Sequence, residues 1–497
     1  MRADALSPGV SRMRAGSGWA PALVVLVSSL LAVLFGLIAF SANPVFGAFA
    51  AAALVGPMLA ARPNWMISLV LVLGLLLTGI VQLHTEGIAG KGVWGVSALS
   101  FLLLLVALFR VLTDAEARRR TPAFVWLLLA FIGYALLNTM VQWQSAYQGF
   151  SGFKRYFQAY GVLFALAWLP IREEDVRRWR VLLLAVALIQ LPFAAYELLK
   201  LVPLREAVRF GYPGMVPIDV VAGTFGASLY GGGANAEMAT FLIVCFAFLL
   251  SRLRAGLLTA RRVALMAPFI LAPLFLGETK VVVVLLPLMF LTLYRREMLA
   301  RPLIAFGGLV LGAAMTVGAG MAYLSITKQT LEQQVANTLS YNVYEKGYAG
   351  YRLNRTTVLS YWADRLTLAE PVSAVIGNGL GAASDKTGGH VAMRMPGMGI
   401  GLTAASVLLW EQGVVGTALF LSVLLMAWVT AGRLHKRASD PAVRADASAI
   451  QAALPLFAFY LIYRVAMLET LSFQLVFASM LGYLAWMHRR EAQGLGR

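Results

Sequence analysis

Cysteine, histidine and acid are what this sequence has least of. One cysteine in 497 residues, Cys245, excludes an intramolecular disulfide and a cysteine metal cluster, and its apolar neighbours read as packing. The four histidines lie far apart, and no His, Cys or carboxylate cluster shows ligand spacing, so neither a metal nor a cofactor is expected. No glycine loop carries a Walker lysine, and no strand–turn–helix context surrounds the glycine runs, so nucleotide motifs are missing. No fixed-period repeat is present. Charged residues make up 13% of the chain against 60% hydrophobic ones, and the mean hydropathy of +0.76 excludes an ordinary soluble domain.

What is there instead is long apolar runs. Residues 20–40 and 303–324 each reach the roughly 20 residues needed to cross hydrocarbon, and a barrel would show short alternating segments. The pattern predicts an all-α, polytopic membrane protein of about 14 transmembrane helices. The segments lie near 19–40, 45–61, 65–83, 93–112, 123–142, 154–170, 181–200, 236–252, 263–278, 280–294, 303–324, 404–430, 452–468 and 471–487. Arg2, Arg12 and Arg14 precede a first run too long for a signal peptide, with no convincing small-residue cleavage site, so it reads as an uncleaved helix.

The net charge of +18 does not form the single stripe that nucleic-acid binding needs, so no nucleic-acid partner is expected. Lys and Arg sit between apolar segments. With the N-terminus in the cytoplasm, alternation puts Arg118, Arg119 and Arg120 inside, followed by Arg172, Arg177, Arg178 and Arg180. It also puts Arg295, Arg296, Arg433, Lys436, Arg437, Arg489 and Arg490 there, with both termini cytoplasmic. Two outward connections are long: residues 201–235, and residues 325–403 between helices 11 and 12, whose composition suits a folded cap. The whole chain, 1–497, reads as one membrane domain carrying this cap.

The outward side carries cations that orientation does not require. They include Lys154, Arg155, Arg205, Arg209 and Lys280, and Arg355 in the large loop. Arg464, embedded in Phe459-Tyr460-Leu461-Ile462-Tyr463-Arg464-Val465, costs a few kcal/mol unless it faces protein or water. For Lys154 and Arg205 the alternative is snorkelling to lipid phosphate; for Lys280 and Arg464, buried pairing or substrate binding is favoured. A cationic basin at a membrane surface suits a multiply anionic ligand, since Arg presents paired donors to phosphate oxygens and Lys a point charge. His390 suits a general base toward a sugar hydroxyl, or is an ordinary surface residue; Glu411 is a second candidate whose other role is neutralising a nearby Arg. The runs Gly223-Thr224-Phe225-Gly226 and Gly377-Asn378-Gly379-Leu380-Gly381 permit close backbone approach, at a site or in turns that pack a loop.

The order of these features resembles the bacterial O-antigen ligase and polymerase superfamily of membrane glycosyltransferases, exopolysaccharide polymerases included. The resemblance runs through much of the chain beyond the fifth segment. It rests on Phe153-Lys154-Arg155-Tyr156, Gly223-Thr224-Phe225 followed by Asn235, and Glu278-Thr279-Lys280 where the family often has Ser-Arg. It continues through Asn354-Arg355 ahead of Tyr361-Trp362, then Ile376-Gly377-Asn378-Gly379-Leu380-Gly381 and Trp410-Glu411-Gln412-Gly413-Val414-Val415-Gly416. The family's His-Asn pair before the last motif is missing: the stretch reads Gly399-Ile400-Gly401-Leu402-Thr403-Ala404-Ala405-Ser406, and His390 is the nearest histidine.

The resemblance implies transfer of a glycan from a polyprenyl diphosphate to a sugar hydroxyl at the outer face of the bacterial inner membrane. Lys280, Arg355 and Arg464 would hold the diphosphate, with Arg209, Lys154 and Arg155 behind them, and His390 and Glu411 are the catalytic candidates. The lipid-linked glycan, the lipid bilayer and polysaccharide assembly and export proteins are the expected partners. The missing His-Asn pair favours a polymerase over a ligase to lipid A core. A flippase of lipid-linked oligosaccharide is the rival from another class, against which stands the outward clustering of the cations.

Overall fold

The computed structural model describes residues 61–84, 93–211, 215–277, 280–300, 353–366 and 370–494, with a few isolated positions besides. Of the chain's two units, Met1–Arg62 and Pro63–Arg497, the second holds nearly all of these residues. The expected segments at 19–40, 45–61 and 303–324, and the first part of the 325–403 loop, lie outside them.

The described residues are helical, with one isolated bridge between Ala227 and Gly233 and no strand. Among the described residues, seven helices are long and apolar enough to cross a membrane. They are α1 (Pro63–His84), α2 (Val93–Thr113), α3 (Ala123–Val141), α6 (Glu173–Val208), α7 (Asn235–Arg254), α11 (Ala404–Arg437) and α12 (Pro441–Tyr463). Each overlaps an expected segment. The other segments differ for physical reasons. The run at 154–170 is not one helix: α4 (Ala146–Phe157) stops at Gln158 and Ala159, and α5 (Tyr160–Trp168) begins anew. Two prolines, Pro268 and Pro273, interrupt the hydrogen-bond ladder of α8 (Ala260–Leu276). The 12 residues of α9 (Val282–Leu293) span only about 18 Å. Ser472, Gln474, Ser479 and His488 dilute the hydropathy of α13 (Leu471–Ala492).

Every residue of α5 is buried, because α5 runs between α2 and α13 with no outward face. The approach to α2 is close enough that a Cβ on Gly161 would collide with the Ser100 carbonyl. Around this centre α11 packs on α3 and α12, and α12 packs on α7 and α9.

The arginine-rich connections gather at one end of the bundle. Asp446, fully buried near the start of α12, accepts from Arg252 Nε (2.7 Å) at the end of α7, from Arg180 Nη1 (3.1 Å) at the start of α6, and from the Tyr483 hydroxyl (2.5 Å) of α13. Arg489 donates to the carbonyls of Ala167 (3.1 Å) and Leu169 (2.6 Å) at the end of α5, and Arg490 pairs with Glu173 (2.7 Å). Loops that the positive-inside pattern assigns to one face therefore share one end.

Two wide turns mark the helices near the Gly223-Thr224-Phe225 run. Within α1, Leu73–Leu77 winds as a π turn, and its Leu75 carbonyl accepts from the Thr224 hydroxyl (2.6 Å). Within α6, Glu197–Leu201 does the same, and Glu197 Oε2 accepts from the backbone N–H groups of Ala222 (2.9 Å) and Gly223 (2.7 Å). The glycine run is thus inserted among helices rather than laid over them.

Asp446 holds two guanidinium groups from different helices with no exposure to solvent. Asp446→Ala leaves both without their shared partner, and should cost about 3–5 kcal/mol. A thermal-unfolding scan of the detergent-solubilised protein measures this, and an unchanged midpoint would show that the cluster does not hold the bundle together.

Candidate functional site

At the opposite end α12 stops because Arg464 turns extended (φ −150°, ψ 160°), and its carbonyl accepts from Ala404 N (3.2 Å) at the start of α11. Its guanidinium Nη1 donates to the Gly233 carbonyl (3.1 Å) and to Glu237 Oε2 (3.2 Å), a carboxylate only 2% exposed in the first turn of α7. Arg355 comes to the same place from far upstream: Nε donates to the Tyr463 carbonyl (2.6 Å), and the guanidinium lies 4.4 Å from the Tyr463 ring centroid. Asn354 sets it there. Buried, its Oδ1 accepts from the N–H groups of Thr356 (3.0 Å) and Thr357 (2.7 Å), which opens α10 (Thr357–Leu366) just beyond Arg355.

Asp219, in the turn Pro217–Val220, lies within electrostatic reach of three cations on this side. Arg464, Arg205 and Lys280 all favour its charged form, yet burial outweighs them and raises the carboxyl above its ordinary range. Asn235 donates to it (3.5 Å) and to the Gly277 carbonyl (3.4 Å). Lys280 is an exposed turn residue just before α9. Arg205 neither snorkels nor faces a basin: 1% exposed, it donates to the carbonyls of Ser228 (2.6 Å), Val216 (2.9 Å) and Gly231 (2.7 Å), tying the 201–235 connection together. The side chain of Arg209 and both Glu278 and Thr279 lie outside the described residues.

Arg155 and Lys154 sit near the end of α4, not at the head of a spanning helix. Arg155 forms an ion pair with Glu469, whose carbonyl accepts from Gln158 Nε2 (2.8 Å). Glu469 closes the short helix Ala466–Glu469 that follows Arg464, so one connection, 464–470, links the two groups of cations. Lys154 places its ammonium 4.5 Å from the Trp94 ring centroid.

Glu411 is fully buried, and the chain beside it is opened on purpose. Gly413 (φ 63°, ψ −170°) breaks the hydrogen-bonding of α11, and the preceding carbonyls find donors elsewhere. Trp410 O accepts from Asn378 N (3.1 Å), Glu411 O from Gly379 N (2.9 Å) and Asn138 Nδ2 (2.8 Å), and Gln412 O from the Tyr134 hydroxyl (3.1 Å). Two glycine motifs 30-odd residues apart in sequence thereby become one feature. Contact is close enough that a Cβ on Gly377 (φ 89°) would meet the Glu411 carbonyl, and one on Gly152 would lie 2.6 Å from Gly381 N. The Glu411 side chain receives Ala383 N on Oε1 (3.0 Å), with the buried Tyr156 hydroxyl and Arg155 beside it.

His390 starts the short helix His390–Arg394 after the same segment. Its Nδ1 lies 3.3 Å from Gln148 Oε1, an atom that only accepts, so this contact puts the proton on Nδ1 and leaves Nε2 basic. Partial burial and the neighbouring Arg394 lower its pKa below the ordinary 6.5. Val391 N and Ala392 N both donate to Ala382 O (3.1 Å each), one residue from the Ala383 N that serves Glu411. His390 and Glu411 thus flank one segment without touching.

The partners Glu237, Glu469, Asp219 and Gln148 are what sequence reading missed. The signal for the first two was the same as for Arg464, an ionisable residue inside or against apolar sequence. Among the described residues, no three His, Cys, Asp or Glu side chains form a possible metal site. No protein-family model matches the chain, and no curated protein is significantly similar to it.

Gly413→Ala and Gly377→Ala meet both a left-handed backbone and a collision, whereas Gly388→Ala (φ 64°) has open space around its Cβ. The first two should therefore lower the unfolding midpoint well beyond the third, whose cost is only the roughly 1–2 kcal/mol of the backbone conformation. Equal losses in a parallel thermal scan of all three would refute the docking of the 377–381 segment on α11.

Proposed function

We propose that this chain is a membrane glycosyltransferase of the O-antigen ligase and polymerase type, moving a glycan from polyprenyl diphosphate to a sugar hydroxyl to extend a cell-surface polysaccharide. In this reading it crosses the bacterial inner membrane about 14 times, with both termini and the arginine-rich end in the cytoplasm and the end holding Arg464 outside. The large 325–403 loop caps that outer end. The observation that carries the reading is that two arginines far apart in sequence are fixed at the end of one spanning helix, Arg355 on Tyr463 and the next residue, Arg464, on Gly233 and Glu237.

A guanidinium presents five N–H donors in a planar fork that matches the oxygens of a phosphate. Arg464 anchored on Glu237, and Arg355 anchored on Tyr463, are oriented before any ligand arrives. In the reaction the bond from the sugar's anomeric carbon to the diphosphate oxygen breaks, and a bond from that carbon to the acceptor oxygen forms. The leaving diphosphate gains negative charge, which Arg355, Arg464 and Lys280 stabilise without rearrangement. His390 Nε2 takes the acceptor's proton, since its lowered pKa keeps the imidazole neutral at neutral pH. Lys154 and Arg155 extend the positive field along the 464–470 connection, and Glu411 holds the segment that carries His390.

Reconstitution with a defined lipid-linked repeat unit tests this by the appearance of longer glycans and released polyprenyl diphosphate. Arg355→Ala and the charge-neutral pair Arg464→Gln with Glu237→Gln should each lower the rate on the order of 10²–10³-fold while the protein still inserts. Wild-type rates in both would remove the diphosphate site. Transfer to lipid A core alone would make the chain a ligase, and leaflet exchange of sugar lipid without any product would make it a flippase.

The sign of the pH effect follows from His390. A base that must be neutral gives a rate that is low in acid and rises to a plateau, with a midpoint below 6.5. His390→Gln should keep the contact-forming size and abolish that acidic limb, together with a rate loss of roughly 10²-fold or more. An unchanged acidic limb in the variant would assign the base elsewhere.

A further inference from the structure

The amphipathicity of the first two turns of α4 is inverted. Over these turns the inward face is Gln148, Gly149, Ser151 and Gly152, all buried, and lies on the backbone of the 380–381 segment with Gln148 Nε2 donating to the Leu380 carbonyl (3.3 Å); only at its end does the helix bury rings, Tyr156 and Phe157. Its outward face is aromatic: Tyr147 is 65% exposed and Phe150 58%, and Trp143 ahead of the helix is 57% exposed. Positions 147, 150 and 154 follow at helical spacing, so Tyr147 and Phe150 form one stripe that ends on Lys154. Trp94 of α2 completes it, 6.1 Å from Phe150 between ring centroids and beneath the Lys154 ammonium. A helix surrounded by water would turn these rings inward. Aromatic residues with a cation at one end fit a membrane interface, where chains and phosphates meet.

We propose that this stripe is a docking groove for the phosphate-bearing lipid substrate, its chain lying on Trp143, Tyr147, Phe150 and Trp94 and its phosphate at Lys154. Charge complementarity selects the occupant, because an ammonium set at the end of an apolar track suits a lipid with an anionic head and gives no advantage to a neutral one. The next residue, Arg155, points inward to Glu469 on the 464–470 connection. A lipid seated here has its head one residue from the inner group of cations. The groove rests on the transferase reading for its substrate class, and its geometry stands apart from Arg355 and Arg464.

The test uses the full chain in phosphatidylcholine nanodiscs and a photoactivatable farnesyl diphosphate as probe. Crosslinks are mapped by mass spectrometry, with farnesyl diphosphate, farnesol and inorganic diphosphate as competitors. Expected are crosslinks on the 143–154 stripe or Trp94, competition by farnesyl diphosphate about tenfold better than by farnesol or inorganic diphosphate, and a comparable loss in Lys154→Gln and in Tyr147→Ser with Phe150→Ser. Labelling that ignores these variants, or a change in their oligomeric mass instead of labelling, would overturn the groove, the latter by assigning the stripe to contact between copies. Polymer formation is followed in parallel. Wild-type KM for the lipid-linked unit in the stripe variants would sink the groove and leave the transferase standing, whereas specific labelling without any polymer would do the reverse.

Discussion

A helix opened within an apolar bundle exposes carbonyls that neither lipid nor packed side chains can satisfy, and each must find a donor or cost several kcal/mol. That constraint governs the end of the molecule around Gly413. The carbonyls freed in α11 are met by Asn378, Gly379, Asn138 and Tyr134, so the segment after Ile376 is drawn against the helix as firmly as an edge strand. Once it is there, its other side is fixed as well. Gly152 and Gln148 of α4 close over it, Ala383 reaches the Glu411 carboxylate, and His390 is delivered beside Gln148.

Charge at this end is balanced rather than merely positive. Arg155 with Glu469 and Arg464 with Glu237 are pairs whose carboxylates are largely withdrawn from water. Such pairs add little net stability, since desolvation offsets much of the attraction, but they fix orientation. Fixed orientation is what an anion-binding site needs, because guanidinium planes already set in place lose little entropy when a ligand joins them. Arg205 is oriented in the same way without a carboxylate, by the carbonyls of Ser228, Val216 and Gly231.

Helical class, the seven apolar spans and the shared end of the basic loops were legible, because hydropathy and Lys/Arg placement act over whole segments. Arg464 announced itself by standing in apolar sequence. What hid its partner is that Glu237 lies in a different helix, and pairing across helices leaves no spacing to read. The run at 154–170 misled for a related reason: its Tyr160–Trp168 part is apolar throughout because α5 is buried on every side, and a window of hydropathy does not distinguish burial in protein from burial in lipid. The aromatic face of α4 gave no warning either, since a stripe of Tyr and Phe at helical spacing is the usual mark of a side turned to the core.

The two π turns have a consequence of phase. Each adds one residue to a turn, which rotates every later side chain about the helix axis by roughly 100° relative to an unbroken helix. In α6 the wide turn precedes Arg205, and the buried direction of that arginine, toward three carbonyls of the following connection, depends on the extra residue as much as on the guanidinium. Residue count in this stretch is thus a structural property of its own. A relative with every side chain retained but one residue fewer between Tyr196 and Val202 would aim the same arginine at its surroundings, and the connection it now gathers would have to be held by something else.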